Sequence, residues 1–539
     1  MSIRIEQTGK ERLAMPIVQL PQIPEASFRI TDYGAVGDGL HSNTEAFARA
    51  IRACSEAGGG RVVIPPGIWL TGPIELRSRI ELHAEAGALI RFSTDFDDYP
   101  LMMSSYEGSE SFRCRSGLDG ERLHDVAITG PGIFDGGGEA WRPVKKAKLT
   151  AGEWSKLVAS GGVVDEAGGM WWPSEAAMNG AEIVARLRRE KRTDIAAYRE
   201  VRDYLRPVLL SLRHCRRVLL EGPTFQNSPA WCLHPWASEH ITVRGVTVRN
   251  PWHSQNGDGL DLDSCRFALV ENCTFDVGDD AICLKSGKDA AGRALGKPCE
   301  FITVRGCTVY HGHGGFVIGS EMSGGVRDVT VSDCTFIGTD IGLRFKSARG
   351  RGGVVERIRI ERIRMLGIKA EAVSFHLFYE GKEGSGEAGK TPVPVSEETP
   401  VFRDIRIGDV WCAGAETGLL VNGLPEMPLE RLTIDGFRFS GKRGARCANA
   451  ARMTLRNAHI RTSGGPLVVL DDCVGARIER LSGESGSGSG SGNGGDGGCL
   501  LRVSGPRSDG IVCRGLEPPP FGRTLELAPE VKAGRVRTE

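Results

Sequence analysis

The sequence predicts an all-β chain wound as a parallel β-helix, with an N-terminal capping helix and one helical insertion. Three observations predict it: a strand-and-turn texture, a tandem repeat, and no helical pattern between the repeated bursts. Short apolar bursts alternate with Gly, Asn and Asp, and glycine alone accounts for 73 positions. That is the spacing of half-buried strands and tight turns. The bursts VRGVTV around Val246, VENCTF around Cys273, VRGCTV around Cys307, VSDCTF around Cys334 and IERIRM around Ile363 share one template, at intervals of 27, 34, 27 and 29 residues. It continues upstream in LEGPTF around Pro223, and downstream in IGDVWC, IDGFRF, LRNAHI and IERLSG around Val410, Phe437, Ala458 and Leu481.

Units of this size cannot bury a core alone and must stack on their neighbours. Each holds two or three strands of four to six residues, which excludes leucine-rich, ankyrin and doubly wound folds and leaves coils that pair in parallel. Cys273, Cys307 and Cys334 then share one inward position, where cysteine acts as a small hydrophobe.

The remaining elements follow in chain order. Residues 1–27 read as an N-terminal arm and 28–539 as one β-helix unit. An open solenoid end exposes unpaired strand edges. Residues 42–57 supply a cover, with Ser42 and Glu45 at capping-box spacing and Phe47, Ile51 and Cys54 on one helical face. Gly58, Gly59 and Gly60 stop this helix, and RVVIPPGIWL opens the first coil. Residues 142–205, rich in Lys, Arg, Glu and Ala around Trp171 and Trp172, read as a mainly helical insertion. Residues 381–400 read as a protruding loop. The Gly/Ser run within 482–498 reads as a flexible loop inside a coil, because another apolar strand, Leu500 to Val503, follows it.

Composition narrows the function classes. Lys plus Arg equals Asp plus Glu at 68 each, so no global field favours nucleic acid or an anionic membrane surface. No segment approaches the roughly 18 apolar residues of a membrane span. The charged first residues lack a secretory core, from which a cytoplasmic location is expected, or a secreted one if a leader was removed. The odd count of 15 cysteines, scattered along the chain, fits reduced buried thiols better than a disulfide framework. Oligomeric state is left open.

The chemistry concentrates between Asn256 and Lys346. In NGDGLDLDS, Asp261 and Asp263 read as turn formers, while Asp258 lies 21 residues before Asp279, close to one coil. The adjacent Asp279 and Asp280 of VGDDAICLKSG repel each other, and adjacency by itself is expected to favour a protonated carboxyl, as a general acid requires. His311 and His313 of HGHGG share a strand side, but no third ligand with metal spacing accompanies them. Arg344 and Lys346 also share a face, and beside a carboxylate cluster they look like a clamp for a substrate carboxylate. The basic runs at 145–148 and 186–192 read as solvated helix faces, with steering of a polyanion as the alternative.

Together these motifs resemble the polygalacturonases of glycoside hydrolase family 28. That family carries Asn-Thr-Asp, Gly-Asp-Asp, Gly-His-Gly and Arg-Ile-Lys on consecutive coils. Here they stand as Asn256-Gly257-Asp258, Gly278-Asp279-Asp280, Gly312-His313-Gly314 and Arg344-Phe345-Lys346, with TDYGAVGDG at 31–39 and NSPAWCLHP at 227–235 extending the likeness. Gly257 in place of Thr removes a hydroxyl, and Phe345 in place of Ile faces away from the clamp.

The resemblance implies a right-handed, single-stranded, pectin lyase-like β-helix, a uronic-acid polysaccharide or oligosaccharide as partner, no cofactor and no metal. It also implies inverting hydrolysis. In it Asp279 is the acid, Asp258 and Asp280 hold and deprotonate water, and His313 tunes the aspartates. Arg344 and Lys346 bind the uronate, Tyr379 is an aromatic subsite residue and Asn256 orients Asp258 or a sugar hydroxyl. Acid and base carboxyls are then expected about 6.5–9.5 Å apart. The 33 residues from Asp280 to His313, with the insertion, are expected to wall off one end of the cleft, which favours exo action. Three alternatives stay open: a hydrolase of rhamnogalacturonan or another decorated pectin, a calcium-dependent pectate-lyase-like eliminase, and a non-catalytic carbohydrate-binding β-helix.

Overall fold

The computed structural model describes residues 16–379, 391–486, 499–517 and 522–539. Among them, fourteen strands form one sheet in strict chain order from Ile74–Glu75 to Arg523–Leu527. Every pairing along it is parallel, as between Leu233–Trp236 and Leu260–Asp263 or Ile341–Lys346 and Glu371–His376. A second large sheet carries the other strands of each coil. The chain is a right-handed parallel β-helix.

The repeat template becomes the strand register. Glu271 pairs with Arg305 and Thr274 with Thr308, which sets Cys273 opposite Cys307, and the next rung sets Cys307 opposite Cys334. The same line runs on through Ile363, Val410, Phe437, Ala458 and Leu481. All fifteen cysteines are buried and free; burial pushes the Cys54 and Cys215 thiols up to about 11, which keeps them unreactive.

The residue just before each template centre has a left-handed backbone: Gly245 (φ 59°), Asn272 (56°), Gly306 (64°), Asp333 (57°) and Asn457 (54°). This corner turns the chain from one strand to the next, and Gly, Asn and Asp enter it at least cost. Arg362 and Arg480 occupy the same corner with φ 57° and 53°. Each is tied to the corner residue of the preceding rung, Arg362 Nε to Asp333 at 2.6 Å and Arg480 Nε to Asn457 at 2.6 Å.

The helix α1 (Thr44–Glu56) closes the N-terminal end with Phe47, Ile51 and Cys54 buried, and Gly59 N–H donates to Cys54 O at 2.9 Å where it stops. Two expectations are corrected here. Its N-cap is Asn43, not Ser42. The Asn43 side chain donates to the carbonyls of Val36, His41 and Leu70 and so ties the preceding loop to a coil, without capping the helix. The first strand is Ser27–Arg29, which pairs with Gly60–Ile64 from before the helix, so RVVIPPGIWL is not the start of the sheet.

The insertion is not wholly helical. Besides α2 (Ala151–Ala159) and α3 (Glu175–Arg189) it holds a three-stranded antiparallel sheet of Val144–Lys145, Met170–Trp172 and Val163–Val164. Trp171 is buried there, its indole N–H donating to Gly161 O at 2.7 Å. A side chain at Gly162 (φ 73°) would meet Trp172 O at 2.4 Å. The basic run at 186–192 is solvated, with Arg186 facing Glu200 and Arg192 facing Asp194.

A hairpin that the sequence reading did not anticipate, Leu101–Tyr106 with Ser109–Cys114, packs on this insertion. Tyr99, Phe112, Trp141, Leu187 and Tyr198 form their shared apolar core.

Of the loop expected at 482–498, Ser482–Ser485 instead continue the strand Arg477–Ser485, because the ladder with Thr454–Thr462 extends that far; 487–498 lie outside the described residues. Residues 381–390 of the expected protruding loop also lie outside them, while Glu398 O accepts from Gly350 N and Gly352 N. Among the described residues no helix is long and apolar enough to cross a membrane.

Candidate active site

Consecutive strands of the fourteen-stranded sheet carry the site: Leu260–Asp263, Asp280–Lys285, Gly314–Ile318 and Ile341–Lys346. Gly259 N–H donates to Asp280 O at 2.9 Å, which stacks Asp258 beside Asp280, and His313 N–H donates to Asp279 O at 2.9 Å, which stacks His313 beside Asp279. One carboxylate oxygen each from Asp258, Asp279 and Asp280 lies within 4.8 Å of the others. The expected acid–base spacing of about 6.5–9.5 Å is therefore not met. Neighbouring strands lie about 4.8 Å apart, and side chains on successive rungs inherit that distance.

The three carboxylates sit in different environments. Asp280 is 1 % exposed; Lys346 Nζ donates to its Oδ2 at 2.7 Å and Arg344 Nη1 to its Oδ1 at 3.1 Å. Burial alone would raise its pKa, but Lys346, Arg344 and Lys285 outweigh burial and hold it well below the usual carboxylate range. Asp258 is also buried, and burial with the neighbouring charges of Asp279 and Asp261 pushes its carboxyl well up. Its Oδ1 has no protein hydrogen-bond partner. Asp279 is the most accessible of the three; its Oδ1 accepts from Asp280 N at 3.0 Å and faces His313 Nδ1 at 3.1 Å.

The basic pair is thus more than a clamp waiting for a ligand: both cations are engaged with Asp280, with Tyr379 over them, its ring centroid 4.9 Å from Lys346 Nζ and 5.5 Å from Arg344 Cζ. Phe345 faces inward and stacks on Phe375 at 4.2 Å. His311 stands apart, half exposed and facing Asp276. Asn256 has a left-handed backbone (φ 54°) and its Oδ1 accepts from Arg206 Nη2 at 2.8 Å. At Gly257 a Cβ would lie 1.8 Å from Ser254 Oγ; a serine hydroxyl from the preceding loop fills the space that the family's threonine would take.

Asp261 and Asp263 are not turn residues. Both lie in a strand at 0 % exposure, because the alternation that sends Leu260 and Leu262 into the core turns these carboxylates to the opposite side, beneath the site. Sequence reasoning missed the counter-ion of Asp261. Lys285 Nζ, buried, lies 3.6 Å from Asp261, 3.1 Å from Glu321 and 4.5 Å from the Trp231 ring centroid. A lysine inside the otherwise apolar strand AICLK was the available signal.

Tyr379, Lys346, Lys285, Trp231 and the three aspartates line a pocket of 130 Å³. It opens past Glu107, Asn256 and Lys288 into a cleft of 670 Å³ under the hairpin and the insertion. On the His313 side lies a second cleft of 610 Å³, lined by Lys148, Trp252, Asp340 and Lys369.

Glycosyl hydrolases family 28 matches this chain over residues 144–455. A probable polygalacturonase of Vitis vinifera is 28% identical over 417 residues, 76% of this chain and 73% of the relative. An exo-poly-alpha-D-galacturonosidase of Dickeya chrysanthemi is 28% identical over 389 residues, which span 70% of this chain and 62% of that protein. The crystal structure of a hyperthermoactive exopolygalacturonase from Thermotoga maritima superposes with a TM-score of 0.67 at 30% identity, covering 87% of this chain and 94% of that one. Since the matched segment exceeds half of the 539 residues and contains every side chain from Asn256 to Tyr379 described above, the protein belongs to glycosyl hydrolases family 28 and is a glycoside hydrolase.

Proposed function

We propose that this enzyme is an exo-acting polygalacturonase that cleaves α-1,4-galacturonosyl linkages with inversion. One observation carries the reading: Asp280 is held anionic by Arg344 and Lys346, while Asp279, beside His313, faces the open cleft. A fixed base beside an accessible acid is the division of labour that hydrolysis requires. Asp279 donates its proton to the glycosidic oxygen as the bond from C1 breaks. Water, held at the free Asp258 Oδ1, attacks C1 and gives its proton to Asp280. Arg344 and Lys346, next to the reacting sugar, share their charge with its carboxylate, and Asn256, locked by Arg206, borders the sugar.

Family membership supports inversion, and the short carboxylate spacing sets the test. Proton NMR of the first product should show the β-anomer before mutarotation; α-anomer would instead establish retention. Exo action is supported by the hairpin and insertion standing over one end of the cleft, and by the names of the Dickeya and Thermotoga relatives. Digestion of polygalacturonate should release only monomer or dimer at early times, and a ladder of mid-length oligomers would refute it.

Two further outcomes follow. Lys346→Met removes the nearest cation that holds the Asp280 carboxyl down, so that carboxyl rises toward or above its ordinary value near 3.9. Because the base must be ionised, the acidic limb of kcat/KM should move to higher pH, and an unmoved limb would remove Asp280 from that role. On the other side of the site, Trp252 is 52% exposed with Lys148 Nζ 5.6 Å from its ring. An exposed indole in a sugar cleft offers a stacking face, so Trp252→Ala should raise KM for oligogalacturonides roughly fivefold with kcat little changed. Equal KM values would remove Trp252 from the substrate path.

A further inference from the structure

Besides the exposed Arg188, the 670 Å³ cleft beyond Asn256 holds three cations that the proposed chemistry does not use: Arg113, Arg206 and Lys288. Arg113 is buried and the other two half-buried; among the described residues none of the three is within ion-pair distance of a carboxylate, whereas Lys285, Arg344 and Lys346 of the catalytic site each are. Arg206 donates to Pro229 O at 2.9 Å, Gln255 O at 3.0 Å and Asn256 Oδ1 at 2.8 Å, all neutral acceptors. Arg113, 9% exposed, donates to Arg206 O and lies with its Cζ 3.8 Å from the Tyr106 ring centroid. Lys288 is fixed by its backbone N–H on Gly108 O at 3.1 Å and borders both this cleft and the catalytic pocket. Glu107, the one acidic residue shared by both cavities, sits exposed at the hairpin turn.

Burying guanidinium groups without a counter-charge is costly, and such groups are as a rule paired or ligand-binding. Among the described residues the carboxylates that line the cleft are engaged elsewhere or turned to solvent: Asp203 accepts from Ser174 Oγ, Asp289 pairs with Arg351 and Glu107 is exposed. The substrate of the proposed reaction carries one carboxylate per sugar and can supply the counter-charge. We infer that Arg113, Arg206 and Lys288 form a second anion-binding subsite for the carboxylate of the uronate unit adjoining the one in the catalytic pocket. The inference rests on the polygalacturonase reading and deepens it. Such a subsite demands two uronates in succession, so a chain in which uronate alternates with a neutral sugar, or in which that unit is methyl-esterified, binds poorly. It is built by the hairpin, the segment after α3 and the loop before helix α4 (Asp289–Leu295), none of them a repeat strand.

The test uses the full chain, trigalacturonate, and trigalacturonates bearing one methyl ester on each unit in turn. Arg206→Ala would also release Asn256, so the variants are Lys288→Met and Arg113→Gln. Each is expected to raise KM for the free acid roughly tenfold, the loss of one charged contact, with kcat little changed. On the one monoester that removes the subsite's ligand, wild type should already show the higher KM, and neither variant should raise it further. An equal factor on the free acid and all three monoesters, or no change at all, overturns the subsite. If wild type leaves trigalacturonate intact, the polygalacturonase reading falls and takes the subsite with it. Wild-type activity with variants insensitive to substrate charge refutes the subsite alone.

Discussion

Asp279→Asn is expected to lower kcat about a thousandfold, within the range that a general acid contributes, while KM for oligogalacturonides stays within a few-fold of wild type. The amide keeps the size of the carboxylate and can still meet both neighbours, Asp280 N–H and His313 Nδ1, but it has no proton to give a departing sugar oxygen. The side chain is 22% exposed and among the described residues its one ion-pair contact is the partly exposed His313, so thermal stability should be preserved. Initial rates on trigalacturonate, with melting curves of both proteins, check this. A variant that melts normally and turns over at the wild-type rate would show that another group protonates the leaving oxygen.

The second large effect concerns stability. Lys285→Met should destabilise the protein by about 3–5 kcal/mol, the usual consequence of removing one partner from a buried charge network. Lys285 is 3% exposed and faces Asp261 and Glu321. Burial acts to raise the Glu321 carboxyl, but Lys285 and Lys346 overcome it and hold the group at about 2. A group depressed in the folded state contributes stability above its unfolded value, near 4.3, and loses it as pH falls toward the folded one. The deficit of Lys285→Met should therefore be largest at neutral pH and shrink as the pH drops below about 4, where Glu321 can take a proton. Urea midpoints at pH 7 and pH 3 measure it. Equal deficits at the two values would mean that lost packing, and not an unpaired carboxylate, is the cause.

Much of the scaffold was legible because a stacked coil repeats its physical demands along the chain. The template centres from Val246 to Leu481 coincide with one line of strand pairing, and the Gly, Asn or Asp before them marks the left-handed corner. Where the texture was ambiguous the reading slipped. Asn, Gly and Asp around Asp261 resemble a turn, yet the alternation of Leu260 and Leu262 made a strand. The Gly/Ser run concealed the strand end at Ser482–Ser485.

The candidate site divides in the same way. Asp258, Asp279, Asp280, His313, Arg344 and Lys346 lie on successive rungs, so their spacing in sequence already carries their stacking in space. Their states of charge do not follow from spacing. Only the packed structure sets Lys346 and Arg344 against Asp280 and leaves Asp258 Oδ1 without a partner.

By itself the sequence determined the wound sheet, its register and the order of the reactive rungs, because each of these is written in a local period that every coil repeats. The tertiary structure alone decided what closes the cleft and which charges meet there. Arg113, Arg206 and Lys288 come from segments of no common period, and they meet in the cleft under the hairpin and the insertion, which Lys288 joins to the catalytic pocket.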